Sequence, residues 1–249
     1  MAGLIALALL LTAGCNPTDE ELATRIADGI KAAVKNSDVP VGDLNPLYRG
    51  VWPSVFYVDP GDRQHGTGWL LEPGLIVTVA HLVEGRRQVI VRQATAPTFV
   101  ADVVGSDHLR DVALLRYDPA QAALDPRAMP LPMGNATIDD IAKDLLALGY
   151  SGSGVKRLGT VGSPKANAGI LSQITNFGAA SYGRNLEMDA AIDPGDSGGP
   201  VLNRQGEVVG MVRAAARHSA DGGLVVGTFY AVHADEIRTA IASIESGEQ

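Results

Sequence analysis

Apolar positions follow different rules in different parts of the chain. Leu22, Ile26, Ile30, Ala33 and Val34 recur at helical spacing behind Thr18, a candidate N-cap, with Asp19, Glu20 and Glu21 in the first turn. This pattern predicts a helix over residues 18–35 with one apolar stripe. Asn, Ser, Asp, Pro and Gly crowd the stretch Asn36–Pro46, which reads as a loop. From Val51 the pattern is that of strands. Short runs of Val, Ile, Leu and aromatics lie between turn residues at Ser54–Val58, Gly68–Leu71, Leu75–Val79, Gln88–Gln93, Phe99–Val104 and Asp111–Tyr117. Runs so closely spaced predict an antiparallel barrel.

Asp118–Asp140, rich in Pro and Ala, reads as a connector. A second set of strand-like runs follows at Leu145–Gly149, Lys156–Val161, Gly169–Ile174, Leu186–Met188, Gly199–Leu202, Val208–Val212 and Leu224–Ala231. Over His233–Ser246, Ile237, Ile241 and Ile244 return to helical spacing and predict a closing helix.

The chain has 249 residues, 46% of them hydrophobic, enough for a substantial core or two small ones. With 19% charged residues, a net charge of -8 and no basic run, a nucleic-acid partner does not fit. The acidity serves solubility and mildly favours basic substrates. The first 14 residues carry no charge and precede the single cysteine, Cys15. That run is too short to span a bilayer, for which a helix needs about 20 residues, but it suits the apolar region of a secretory signal. Thr12-Ala13-Gly14-Cys15 resembles a bacterial lipobox, which implies lipidation of Cys15 and a cell-envelope or periplasmic location. An ordinary signal peptide beside an unrelated cysteine is the plainer alternative. With Cys15 acylated, no thiol remains for a disulfide, and the fold must stand on packing.

The chemistry concentrates near the end of the chain. Asp193-Pro194-Gly195-Asp196-Ser197-Gly198-Gly199-Pro200 sets a serine among glycines that permit a sharp turn and leave room for a substrate. A serine hydroxyl needs a neighbouring base, and the base needs orienting. Thr78-Val79-Ala80-His81 and Asp111-Val112-Ala113-Leu114-Leu115 supply a histidine and a carboxylate in the order His, Asp, Ser, one of the known orders of the serine triad. His81 is the candidate general base, later the acid that protonates the leaving amine. Asp111, opening an apolar strand, is the candidate that orients it, because a buried carboxylate there needs a partner. Asp107, in Gly105-Ser106-Asp107, reads as a turn residue. His65, His108, His218 and His233 read as surface or packing residues and show no metal-ligand spacing, so neither metal nor cofactor is expected.

Several segments together resemble the chymotrypsin-like serine peptidases and are similar to their bacterial HtrA-type branch. They are Gly66-Thr67-Gly68-Trp69-Leu70-Leu71, Ile76 to Val83, Asp107 to Leu115, Gly169-Ile170-Leu171-Ser172, Asp189 to Pro200 and Gly206-Glu207-Val208-Val209-Gly210-Met211. The resemblance implies an all-β fold of two six-stranded antiparallel Greek-key barrels with an N-terminal helical arm and a C-terminal helix. The expected division is a signal peptide over 1–14, an arm over 15–50 and a peptidase domain over 51–249. Within that domain, barrel one covers about 51–118, the connector 119–140, and barrel two with its helix 141–249. The active site is expected at the seam of the barrels.

The family match also implies an oxyanion hole at the Gly195-Asp196-Ser197 turn, made by the N–H groups of Gly195 and Ser197. It further implies a pocket floor at Ala191, suited to small or medium apolar P1 residues, and a substrate-aligning edge at Arg213-Ala214-Ala215. No PDZ domain is expected after the last helix, Asp196 stands where HtrA relatives usually carry Asn, and Gly152–Ala168 is longer than usual. The Asp196 carboxylate needs a donor, either a backbone N–H or a basic side chain. The implied partners are peptide or protein substrates and, through Cys15, a membrane; the oligomeric state is open.

Two other readings compete. Gly195-Asp196-Ser197-Gly198-Gly199 satisfies the G-x-S-x-G elbow of α/β-hydrolase esterases, with Asp221 and His233 as later partners, but that fold needs alternating strands and helices. The other is a catalytically silent module that docks peptides on the same double barrel.

Overall fold

The computed structural model describes residues 43–61, 64–151, 162–176, 183–215 and 227–247. The helix expected over 18–35, the signal segment and Cys15 lie outside the described residues, as do the run Lys156–Val161, His218 and Asp221. The unit that begins at Leu44 carries both sets of strands.

That unit opens with a feature the loop reading of Asn36–Pro46 did not anticipate, a short helix α1 at Asn45–Val51. Pro46 sits in its first turn, where a missing N–H costs nothing and the fixed φ is already helical. A 3-10 turn, Trp52–Ser54, then delivers the chain into β1 at Val55–Asp59.

Barrel one continues with β2 (Gly66–Glu72), β3 (Leu75–Thr78), β4 (Gln88–Gln93), β5 (Ala96–Asp107) and β6 (Val112–Arg116). A short helical turn, α2 at Ala80–Val83, follows β3. Barrel two comprises β7 (Asp144–Gly149), β8 (Lys165–Asn176), β9 (Arg184–Met188), β10 (Pro200–Leu202), β11 (Val208–Ala215) and β12 (Phe229–His233). Both sheets close on themselves, in the order β1-β2-β3-β6-β5-β4 and β10-β11-β12-β9-β8-β7. Counted from its own first strand, each barrel has the same cyclic order. Closure leaves no free sheet edge, which suits strands as apolar as these.

The patterns explain which faces are buried. In β4, Val89 and Val91 point inward between exposed Gln88 and Ile90, the alternation of a half-buried strand. In β6, Val112 to Leu115 are all buried, because the inner face fills the barrel while the outer face is covered by α3 (Ala234–Ser246). Barrel one's core cluster does not stop at its own strands. It runs on through Leu146, Leu148, Met211 and Val232 of barrel two and Ile237, Ala240 and Ile244 of α3. The connector is likewise fastened at both ends. Leu131 N–H donates to Leu70 O at 2.9 Å in barrel one, and Gly134 N–H donates to Val208 O at 2.9 Å in barrel two.

Candidate active site

The sequence-predicted pair His81 and Asp111 meets directly. His81 lies in α2, immediately after the buried strand β3, so its backbone is held at the barrel rim while half of its side chain stays in solvent. Asp111 ends the turn before β6 and is almost fully buried. Its Oδ2 is 2.8 Å and its Oδ1 3.0 Å from His81 Nδ1, and Oδ1 also accepts the His81 backbone N–H at 3.0 Å. A carboxylate can only accept, so the imidazole proton sits on Nδ1 and the lone pair on Nε2. Asp111 takes φ +59°, a left-handed conformation that costs a non-glycine residue about 1 kcal/mol or more. The preceding turn holds it there. Asp107 accepts the Arg110 N–H at 2.9 Å and pairs with the Arg110 guanidinium at 2.8 Å, the structural role expected of Asp107.

Ser197 is brought to the same seam from the other barrel. Its carbonyl accepts the Thr67 N–H of β2 at 2.8 Å. A Cβ on Gly66 would lie 2.5 Å from Leu82 Cδ2 and 2.9 Å from Ser197 O, so Gly66 is closely flanked by the Ser197 backbone and by the residue that follows His81. The Ser197 hydroxyl donates to Arg213 O at 3.3 Å, and among the described residues it makes no hydrogen bond to His81.

Thr67, quoted in the sequence only as part of a motif, is the pin between the barrels. Its hydroxyl donates to Gly195 O at 2.8 Å and accepts the Tyr150 N–H at 2.9 Å, and its carbonyl accepts the Thr78 hydroxyl at 2.7 Å. It therefore fixes the Gly195–Ser197 turn from the side of barrel one. Within that turn Gly195 has φ +108°, open only to glycine at low cost. Asp196 N–H is used by Asp193 O, but among the described residues the N–H groups of Gly195 and Ser197 donate to no backbone carbonyl. Two such donors on one turn are a pairing that can receive negative charge.

One donor to the Asp196 carboxylate is the Asp193 N–H, 2.9 Å from Oδ2. Asp196 is buried, and burial raises its pKa, against the lowering effects of that N–H and of Lys165. Lys165 itself pairs with the Asp193 carboxylate at 3.0 Å. Gly149 makes room for Asp196, since a Cβ there would stand 2.5 Å from Asp196 Oδ1 and 2.8 Å from Asp196 Cβ.

Ala191 is exposed beside Asp189, whose Oδ1 accepts the Ile170 N–H at 2.7 Å. Arg213, Ala214 and Ala215 lie on β11, which pairs with β12, with a register shift between Val212 and Ala214. Two side chains near the site were not singled out by sequence. His65 stacks on Tyr57 at 4.9 Å, and its Nε2–H donates to Tyr150 O at 2.8 Å beside Gly195. Arg213 is expected to align substrate through its backbone, yet its side-chain Nε is 3.6 Å from Asp111 Oδ2.

Two closed barrels with these groups at their seam define the chymotrypsin-like class. Residues 66–211 match the family model of the trypsin-like peptidase domain, and the chain belongs to that family. Its relatives are of the HtrA/DegP type. HhoA of Synechocystis sp. is 33% identical over 187 residues, 72% of this chain and 44% of HhoA. A protein of Pseudomonas savastanoi pv. phaseolicola named "Probable periplasmic serine endoprotease DegP-like" is 33% identical over 157 residues, 61% of this chain and 30% of the relative. A solved structure of the HtrA-type protease AlgW with a tripeptide superposes with a TM-score of 0.66 at 26% identity, covering 84% of this chain and 65% of that one. The chain spans less than half the length of these two curated relatives. The double barrel also excludes the esterase reading, which requires a sheet interleaved with helices.

Proposed function

We propose that the protein is a serine endopeptidase that hydrolyses peptide bonds through His81, Asp111 and Ser197. The observation that carries this reading is the His81–Asp111 pair, which leaves the imidazole lone pair on Nε2 at the seam where Ser197 sits. In the reaction the Ser197 Oγ–H bond breaks and its proton passes to Nε2, while Oγ bonds to the scissile carbonyl carbon. Asp111 stabilises the imidazolium, and the N–H groups of Gly195 and Ser197 receive the oxyanion. His81 then gives its proton to the leaving amine, and water repeats the sequence on the acyl-enzyme. No metal or cofactor enters these steps.

Ala191 presents no charge at the expected pocket floor, so small or medium apolar P1 residues are the expected choice. The edge Arg213-Ala214-Ala215 aligns the substrate backbone. Export, with the mature chain beginning at a lipidated Cys15, follows from the apolar leader and fits the periplasmic naming of DegP-like relatives. Mass spectrometry of the mature N-terminus tests it, and an unmodified Cys15 removes the anchor.

One observation favours the silent peptide-docking module, namely that the Ser197 hydroxyl faces Arg213 O. A fluorophosphonate separates the two readings. It labels Ser197 in an enzyme, and Ser197→Ala, His81→Ala and Asp111→Ala each abolish most labelling and peptide hydrolysis, with little further loss on combining them. A folded wild-type chain that never labels is a docking module.

A further inference from the structure

Arg213 occupies the irregular position of β11, where the register with β12 shifts between Val212 and Ala214. An irregularity of this kind re-aims a side chain that a regular strand would direct elsewhere. Here the guanidinium is carried across the seam to the His81–Asp111 pair. Nε lies 3.6 Å from Asp111 Oδ2, the oxygen that His81 Nδ1 approaches at 2.8 Å, and Nη1 donates to Asn185 Oδ1 at 3.3 Å. The Arg213 side chain is 14% exposed and that of Asp111 9%, so both charges sit largely out of water. A buried charge needs a partner.

The neighbouring charges are otherwise committed. Asp111 is met by His81 from α2 and by Arg213 from β11. Arg110, next to it in sequence, is taken by Asp107 and by Glu236 of α3. On β9, Asn185 is neutral. Among the described residues, and while His81 holds no proton on Nε2, the full positive charge beside Asp111 is that of Arg213.

We propose that Arg213 is a positioning residue whose guanidinium is the standing counter-charge of Asp111, so that His81 need not carry a proton to neutralise the buried carboxylate. The inference rests on the serine-peptidase reading and adds to it a residue that touches neither substrate nor reacting atoms through its side chain. With Arg213 in place, the resting set Arg213, Asp111 and neutral His81 has no net charge, and the base is ready. Without it, the carboxylate is balanced only when His81 is protonated, and protonated His81 cannot take the serine proton.

The test uses the full chain and two variants, Arg213→Gln, which removes the charge, and Arg213→Lys, which retains one. The first readout is the rate of fluorophosphonate labelling of Ser197 against pH. In Arg213→Gln the acidic limb moves to higher pH by about half to one unit, the effect expected of losing one nearby opposite charge in a partly screened site. In Arg213→Lys the limb stays near its wild-type position. A merely structural role lowers the rate at every pH and leaves the limb where it was, and that result overturns the proposal. The second readout is the pH titration of the His81 ring resonances by NMR, assigned with His81→Gln. It needs no turnover and moves in the same direction, so a wild type that never labels sinks the peptidase reading while the ring titration still decides the role of Arg213. Arg213→Met keeps the stem without the charge and replaces the glutamine variant if melting curves show that variant unfolded.

Discussion

At the scale of single residues, the site depends on a few positions whose identity is set by space and hydrogen bonding. Gly149 is the clearest. The last residue of β7 backs directly onto Asp196, and any side chain there meets both the carboxylate and the Asp196 backbone. Gly149→Ala is expected to cost about 1–3 kcal/mol of stability, the usual range for overpacking. Because the displaced group lies between the Gly195 and Ser197 N–H donors, fluorophosphonate labelling should fall by more than the loss of folded protein explains. Parallel melting and labelling measurements check this, and equal losses in both would make Gly149 a packing residue only. His81, Asp111, Ser197 and the glycines around the serine were legible in the sequence because their chemistry demands those types in that order. The Arg213 side chain and the Thr67 pin were not. A strand read as regular gives no hint of the shift that turns Arg213, and a buried threonine bonded to both barrels looks in sequence like any strand threonine.

At the scale of elements, α3 shows how capping, burial and pH combine. His233 ends β12 and serves as the N-cap of α3, its Nδ1 accepting the Asp235 N–H at 3.1 Å while Nε2–H donates to Ala136 O at 2.9 Å. Both nitrogens are used by the neutral ring, and the residue is fully buried. Burial is the main cause that lowers its pKa, ahead of the opposing bond to Ala136. The unfolded chain therefore binds this proton more readily than the folded one. The contribution is fully present above the unfolded value of about 6.5 and is lost as pH falls below it. His233→Asn keeps a capping oxygen but no titrating group. It should be less stable than wild type by about 1 kcal/mol at pH 8, the usual worth of one hydrogen bond. The gap should narrow as pH falls from 7 to 5. Denaturant midpoints across that range check the slope, and a constant gap would rule out His233 as its source. The helix itself was legible from Ile237, Ile241 and Ile244. It begins at Ala234, one residue after the expected start, since His233 caps rather than begins it, while α1 overlaps the loop-like stretch only at Asn45 and Pro46.

At the scale of the whole molecule, one of the connector's holds on barrel one is centred on the Asp125 carboxylate. Asp125 is buried and accepts from Thr95 at 2.6 Å and from Arg127 at 2.7 Å, while its N–H donates to Gln93 Oε1 at 2.7 Å. The Arg127 and Thr95 bonds hold its pKa well below the usual carboxylate range. A depressed carboxylate stabilises the fold above its unfolded value of about 3.9 and loses that contribution as pH falls below it. Asp125→Asn is expected to cost about 1 kcal/mol at pH 7, discounted because Arg127 is largely in solvent. The difference from wild type should shrink progressively below about pH 3.9, the unfolded value. Acid-unfolding curves of the two proteins check it. The double barrel was legible from the two sets of strand runs, whereas the interlocking of the two cores was not, because which strands share a neighbour is decided by closure rather than by local pattern.

One tie at the site joins residues far apart in the chain. Arg110, beside Asp111, donates to Glu236 of α3 at 2.9 Å, and Glu236 in turn accepts the Arg184 N–H of β9 at 3.1 Å. The turn that holds the buried acid is thus fastened to a helix made more than a hundred residues later. During synthesis the first barrel emerges with that turn unfastened, and Ser197 emerges before the helix that completes the brace. Such distant closure is slow compared with local folding. The order of synthesis therefore sets when the site is assembled: its groups reach their final arrangement only after nearly the whole domain has been made.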